Sequence, residues 1–237
     1  MKDHFSKFDI DAINEDAEDN YFHPVLKHAF QYIGEVYNIC DIGCGNGVFS
    51  GNIKNWHSCN LVGVDGSSYA LEKAANFNYD KLVKVEDFSI DNLPFEDQSF
   101  DLVINKDVLE HLIDPKNLVN EISRIIANGG HAIIHVPNHF PIIGRIKLLF
   151  TNNIDPFNYF PDSKRWNFPH IRFFNKKELI ELLELSNLYM VQDLSYHFGR
   201  IPILWRLIPT KIRKIIYNKF SDSLCEGFTI LAKKCIN

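Results

Sequence analysis

The residues whose types and spacing could do chemistry begin at Asp41-Ile42-Gly43-Cys44-Gly45-Asn46-Gly47, directly after a run rich in apolar side chains. Glycines at alternate positions let the backbone turn sharply and let a ligand lie against the main chain. The next such run ends in Gly63-Val64-Asp65-Gly66-Ser67, which sets a carboxylate 18 residues beyond Gly47. In a doubly wound sheet an acid at that place takes the two ribose hydroxyls of an adenine nucleoside. A third run is followed by Asp87 and Phe88, an acceptor suited to an exocyclic amine and a ring to pack on. A lone glycine loop reads as a tight strand-to-helix turn, but three such features at successive strand ends read as a nucleoside site. The dinucleotide pattern Gly-x-Gly-x-x-Gly fails at Val48, and the Gly-Lys-Ser/Thr of a phosphate loop is absent. A nucleoside without phosphates is the expected ligand.

The elements that must position these residues alternate. Strands are predicted over Val36–Ile42, Asn60–Asp65, Lys81–Glu86, Phe100–Asn105 and His131–Val136. Helices are predicted over Phe22–Ile33, Val48–Trp56, Ser68–Phe77 and Pro115–Ala127, the last stopped by Asn128-Gly129-Gly130. Strands alternating with helices at this spacing imply an α/β fold, a doubly wound and mostly parallel sheet with helices on both faces. A helix over Lys176–Ser186 and strands over Leu188–Leu194 and Phe228–Lys233 would close it. With 46% hydrophobic residues, 237 residues suffice for one core, so a single domain over 1–237 is expected.

Three segments stand apart from this pattern. Residues 1–20 form an acidic arm without the apolar run of a signal peptide. Residues 137–174 hold nine of the chain's aromatic side chains, an aromatic insertion. Residues 199–220 carry Arg200, Arg206, Lys211, Arg213, Lys214 and Lys219 and no acid, interleaved with Trp205, Ile208, Ile212, Ile215 and Phe220. Such a basic amphipathic segment suits either peripheral contact with an anionic membrane or a helix pair with a solvated basic face. Pro202 and Pro209 break it into short pieces. No stretch approaches the roughly 20 apolar residues of a membrane span. The five cysteines, at 40, 44, 59, 225 and 235, lack paired zinc spacing and fit reduced thiols in a cytoplasm. The net charge of −5 argues against a nucleic-acid partner.

In its motifs the chain resembles the class I S-adenosylmethionine-dependent methyltransferases. Asp41-Ile42-Gly43-Cys44-Gly45-Asn46-Gly47 is similar to their first motif, Val62-Gly63-Val64-Asp65 to their second, and Leu93 to Val103 to the segment entering their fourth strand. Asp107-Val108-Leu109-Glu110-His111-Leu112, Asn128-Gly129-Gly130, His135-Val136-Pro137-Asn138 and His170-Ile171-Arg172-Phe173-Phe174 resemble the small-molecule branch that includes ubiquinone-type O-methyltransferases. The resemblance spans about residues 30–195. It implies a Rossmann-like sheet of seven strands with the last antiparallel, and S-adenosylmethionine as cofactor. It implies that Asp41, Gly43 and Gly45 contact the methionine end, that Asp65 holds the ribose with Gly66 beside it, and that Asp87 and Phe88 frame the adenine. Asn105 and Lys106 would border the transferable methyl.

An alcohol acceptor needs a base, which a neutral amine does not. Of ten histidines, His111, His135, His139 and His170 fall at the expected active edge. His111 is the first candidate base, then His139, then His170, each against the alternative of a structural histidine. Lys106 orients an acidic substrate group or pairs with Asp107 or Glu110. Neither a His-x-x-x-His nor a tight carboxylate cluster is present, so no metal is expected. The expected activity is O-methylation of a small molecule, a sugar or lipid-linked envelope intermediate. A quinone or phenolic lipid as acceptor and a non-catalytic cofactor-binding partner protein are the alternatives.

Overall fold

The computed structural model describes residues 25–153, 170–195 and 208–235. The acidic arm, residues 154–169 of the aromatic insertion and residues 199–207 of the basic segment lie outside that description. Helix α1 covers 25–33. Then follow β1 (Asn38–Ile42), α2 (Val48–Gly51), β2 (Asn60–Asp65), α3 (Ser68–Ala74), β3 (Lys81–Lys84), β4 (Phe100–Lys106), α4 (Pro115–Ile125) and β5 (Ile126–Pro137). Next come α5 (Ile142–Thr151), α6 (Lys176–Glu184), β6 (Leu188–Asp193), α7 (Thr210–Leu224) and β7 (Gly227–Lys234). Helix α2 is shorter than expected, one turn followed by a 3-10 turn at Ile53–Asn55.

One seven-stranded sheet runs in the order β3-β2-β1-β4-β5-β7-β6. Its first five strands are mutually parallel, and β7 runs antiparallel to both β5 and β6. Chain order reverses across the β1–β4 pair, and ligands of such sheets bind at the carboxyl ends of the strands there. Alternate residues of the central strands enter two separate cores. Cys40, Ile42, Val103, Ala132, Ile134 and Ile230 pack with Leu118, Ile122, Leu179 and Leu183 of α4 and α6. Ile39, Leu102, Ile104, Ile133 and Leu231 pack on the opposite face with Val25, Leu26 and Phe30 of α1. Burial on both faces explains why these strands read as nearly continuous apolar runs.

Helix starts follow local chemistry. Asp114 caps α4 through Lys116 N–H at 3.0 Å, with Pro115 in the first turn. Asn175 and Glu178 form a capping box on α6. The stop expected at Asn128-Gly129-Gly130 falls instead inside β5: α4 has ended at Ile125, and the glycines carry the strand through a register shift opposite Phe100 and Leu102. Gly129 takes φ 79 there, the left-handed backbone that glycine permits.

The loop before β4 is held by two residues of α4, Arg124 and Glu121. Arg124 donates to the carbonyls of Phe95 and Leu93 at 2.8 and 2.9 Å, and binds both carboxylate oxygens of Glu121 at 2.8 Å. Glu121 in turn accepts Leu93 N–H at 2.7 Å. Arg124→Ala leaves two carbonyls and a carboxylate without their partner. It is expected to lower stability by about 2–4 kcal/mol, read as the denaturant midpoint, with cofactor affinity unchanged in the folded fraction.

Candidate active site

Strand β1 runs into the glycine loop, and the loop is tied to β2 by backbone. Gly43 and Cys44 both donate their N–H to the Val64 carbonyl, at 2.7 and 3.0 Å. Gly43 has φ 77, and a Cβ there would lie 2.2 Å from Val108 Cγ2. Only glycine fits that turn. Gly45, at φ 54, is the reverse case: a Cβ there would meet nothing within 4 Å, so its face looks onto open space. Its N–H donates to Asp65 Oδ2 at 2.9 Å, while Asp65 Oδ1 accepts Ser67 N–H at 2.8 Å. Burial pushes the Asp65 carboxyl up, and the N–H groups of Ser67, Gly45 and Gly66 pull it back. With those donors already in place, ribose hydroxyls would have to share or displace the Gly45 N–H, since a carboxylate offers about four acceptor sites.

Asp41 is 2% exposed and accepts the Tyr79 hydroxyl at 2.7 Å. Burial raises its carboxyl to about 6, against the Tyr79 and Ser50 hydroxyls, and the charge of Asp65 adds to the rise. Sequence reasoning missed Tyr79. Its ring lies against both glycine-bearing segments, close enough that a Cβ at Gly47 or Gly63 would crowd it. The one available signal was the absence of side chains at those two positions opposite a bulky ring.

The other expected cofactor residues divide. Asp87 is half-buried at the end of β3 and accepts Ser89 N–H at 2.9 Å. Phe88 is 7% exposed and packs in the core with Val85, Leu93 and Leu109. Those neighbours cover most of the ring's apolar area. Asn105 is fully buried and donates to the Ile42 carbonyl at 3.0 Å, joining the ends of β4 and β1. Its Oδ1 has no hydrogen-bond partner among the described residues. Lys106 pairs with Asp107 at 2.6 Å and lies over the Phe49 ring.

Three separate segments converge beyond β4 and β5. Residues Leu109–His111 form a 3-10 turn, and the Glu110 carbonyl accepts the N–H groups of Ile171 and Arg172 at 2.9 and 3.0 Å. Arg172 also donates to the Leu112 and Ile113 carbonyls. Those bonds bring His170 beside His111, rings at 4.8 Å edge to face. His139 Nε2 lies 2.6 Å from His170 Nδ1. Its neighbour Asn138 fixes the approach by donating to the carbonyls of Asp222 and Cys225. All three candidate bases are thus in one cluster, which sequence distance hides.

Two acids complete it. Asp107 takes φ 53, donates its N–H to the His135 carbonyl, and places Oδ1 3.4 Å from His135 Nε2. Burial opposes its ionisation, yet Lys106 and His135 hold its carboxyl low. Glu110 is fully buried, and burial together with the Asp107 charge pushes its carboxyl well up. Burial likewise depresses His135 to about 4 and His170 to about 3, the latter helped by His111 and His139. Glu110 was missed as a site residue, although a lone acid inside Val108-Leu109-Glu110-His111-Leu112 was the visible signal. Helix α5 was also missed. Of its residues only Gly144 is buried, while Leu149 and Phe150 are 78% and 80% exposed.

The open face of Gly45, the Asp65 carboxylate beside it and the buried, half-satisfied Asn105 amide fit a nucleoside with hydroxyls and a cationic tail. A seven-stranded doubly wound sheet with this site at its switch point defines a Rossmann-like nucleoside-binding fold with a reversed last strand. The family described as "Methyltransferase domain" matches residues 40–134. A Mycolicibacterium smegmatis protein named a probable S-adenosylmethionine-dependent methyltransferase is 27% identical over 77% of this chain and 65% of its own length. A ubiquinone biosynthesis O-methyltransferase of Vibrio atlanticus is 24% identical over 71% of this chain and 70% of its own. Among solved structures, a chain from the complex of the Haloferax volcanii Trm112 methyltransferase activator with a methyltransferase superposes with TM-score 0.63. Its identity is 18%, and 96% of each chain is covered. Residues 40–134 thus match a methyltransferase domain, and the relatives named S-adenosylmethionine-dependent methyltransferases point to S-adenosylmethionine as its cofactor.

Asp41 gives the first test of the site. A carboxyl raised by folding favours the protonated fold, so its contribution is present below about pH 4 and is lost as pH rises through about 6. Asp41→Asn is therefore expected to raise the melting temperature of the cofactor-free protein at pH 7.5, by the equivalent of up to about 3 kcal/mol. The difference should vanish near pH 4, while affinity for S-adenosylmethionine falls. A mutant less stable than wild type at pH 7.5 would mean that the ionised Asp41 is well compensated in the empty site.

Proposed function

We propose that this protein transfers a methyl group to an oxygen of a small, amphipathic acceptor, a sugar or lipid-linked intermediate of the cell envelope. The observation that carries the reading is the meeting of His111, His139 and His170 beyond the end of β4, on the side of the site away from Asp65. S-adenosylmethionine supplies a methyl on a sulfonium, already activated for displacement. Glycine loop, Asp41 and Asp65 would hold it, with Gly66, Asp87 and the packed Phe88 segment around the base. What remains for the protein is to align the acceptor, exclude water and take a proton from its hydroxyl. A neutral imidazole with a free ring nitrogen can accept that proton.

A phenolic or quinone lipid is the second reading, favoured by the similarity to the Vibrio atlanticus ubiquinone enzyme and by the exposed apolar side of α5. Helix α5 bears Arg145 and Lys147 but no acid, and α7 adds exposed Ile212, Ile215, Lys211 and Lys219. Among the described residues no helix is long and apolar enough to cross a membrane. The pairing of apolar and basic side chains suits peripheral contact with an anionic bilayer, from which a lipid-linked acceptor would be drawn.

The reading is tested by incubating the protein with labelled cofactor and separate lipid and saccharide extracts, followed by mass spectrometry for the added methyl. Methyl gain on a nitrogen or carbon only, or none in any extract, would overturn it. Asp65→Ala is expected to weaken cofactor binding by roughly 2–3 kcal/mol by calorimetry; unchanged affinity in the folded mutant removes Asp65 from the site. Anionic vesicles should sediment the protein at low salt and release it as salt rises. Leu149→Ser with Phe150→Ser should abolish that binding without altering the fold.

A further inference from the structure

We infer that Glu110, His111 and His170 form a binding site for one divalent first-row transition cation of the zinc type. One carboxylate oxygen of Glu110 and one ring nitrogen of each histidine lie within 4.8 Å of one another. Two ligands on one such ion, each at about 2.0–2.2 Å, sit roughly 3.4 Å apart in a tetrahedral arrangement. Closing the cluster onto an ion takes side-chain rotations on the order of 1 Å, within reach of χ angles on a 3-10 turn and an adjoining loop.

The independent observation is Glu110 itself. Its side chain is 0% exposed, and neither carboxylate oxygen has a hydrogen-bond partner among the described residues. His111 Nε2, at 3.9 Å, lies beyond hydrogen-bond distance. Leaving a buried carboxyl unsatisfied, charged or neutral, costs free energy that folded proteins avoid. A cation would satisfy it. The backbone has been organised to the same end: the Glu110 carbonyl receives two N–H groups from the segment that brings His170 in. His139 then lies where an outer partner belongs. Its Nε2 is 2.6 Å from His170 Nδ1, so it can accept that proton, fix the tautomer and leave Nε2 of His170 for the metal.

Two imidazoles and one carboxylate select a transition cation over magnesium or calcium, which prefer oxygen ligands alone. Three protein ligands leave a fourth position open for water or another oxygen. If that oxygen is the methyl acceptor's hydroxyl, the cation would favour loss of its proton in place of His111 and His170; that step rests on the function proposed above, and the cation site does not.

The test uses the full chain, stripped with chelator, without cofactor or acceptor, and titrated separately with zinc, manganese and magnesium by calorimetry, with metal content read by mass spectrometry. One equivalent of zinc is expected, with manganese weaker and magnesium not bound. Glu110→Gln and His170→Asn should each weaken zinc binding by roughly 100-fold or more, and His139→Ala by roughly 10–100-fold, the range for outer-shell partners. His170 lies outside the regular elements, so His170→Asn keeps the test sound if Glu110→Gln fails to fold. No stoichiometric zinc, or zinc binding untouched by His170→Asn, overturns the site. Because binding is read without methyl transfer, a failure here is separate from a failure of the proposed activity.

Discussion

Everything on the cofactor side depends on two carboxylates at the ends of neighbouring strands, Asp41 buried and Asp65 half-buried. Asp41 opens the glycine loop and Asp65 lies beside it; burial raises both carboxyls, and the charge of Asp65 adds to the rise at Asp41. The fold compensates with neutral dipoles: the Tyr79 hydroxyl for Asp41 and backbone N–H groups for Asp65. Dipoles offset part of a burial penalty but carry no net positive charge, and the Lys106 cation adds only a smaller share at Asp41. A ligand with an ammonium and a sulfonium would bring the positive charge that those dipoles lack.

That arrangement constrains backbone as well. The Val64 carbonyl takes two loop N–H groups, which aligns the loop with the end of β2 and sets Gly45 against Asp65. Val108, just past β4, occupies the volume a side chain at Gly43 would need. The turn that carries Glu110 and His111 is therefore packed against the glycine loop one residue away from it. Cofactor and acceptor sides share a wall, and Asn105, bonded to the Ile42 carbonyl, is its crossbar.

The sheet and the cofactor side were legible because their signals are local. Each parallel strand is a short buried run, each glycine or acid follows it at once, and caps such as Asp114 and Asn175 mark the helices. Asn128-Gly129-Gly130 misled because glycine stops a helix and bends a strand by the same freedom, and only pairing with β4 distinguishes the two. The acceptor side was barely legible. Glu110 and His170 are 60 residues apart, and their approach depends on main-chain bonds from Ile171 and Arg172 to a carbonyl. Main-chain bonds leave no trace in side-chain spacing, so a search for His-x-x-x-His could not find the group.

The two sides also differ in what a substitution can change. On the cofactor side most donors are backbone N–H groups, which mutation moves only by distorting the loop. On the other side the histidines His111, His139 and His170 are side chains carried on a 3-10 turn, the segment after β5 and the segment before α6. The regular elements that hold those segments, β4, β5 and α6, are anchored in the larger core through Val103, Ala132 and Leu179. Loops so mounted can exchange residues at little cost to stability, while the cofactor loop cannot. The same sheet can therefore present one cofactor to many acceptors. Beyond His139 the chain continues into helix α5, where the exposed Leu149 and Phe150 mark a surface the core did not need.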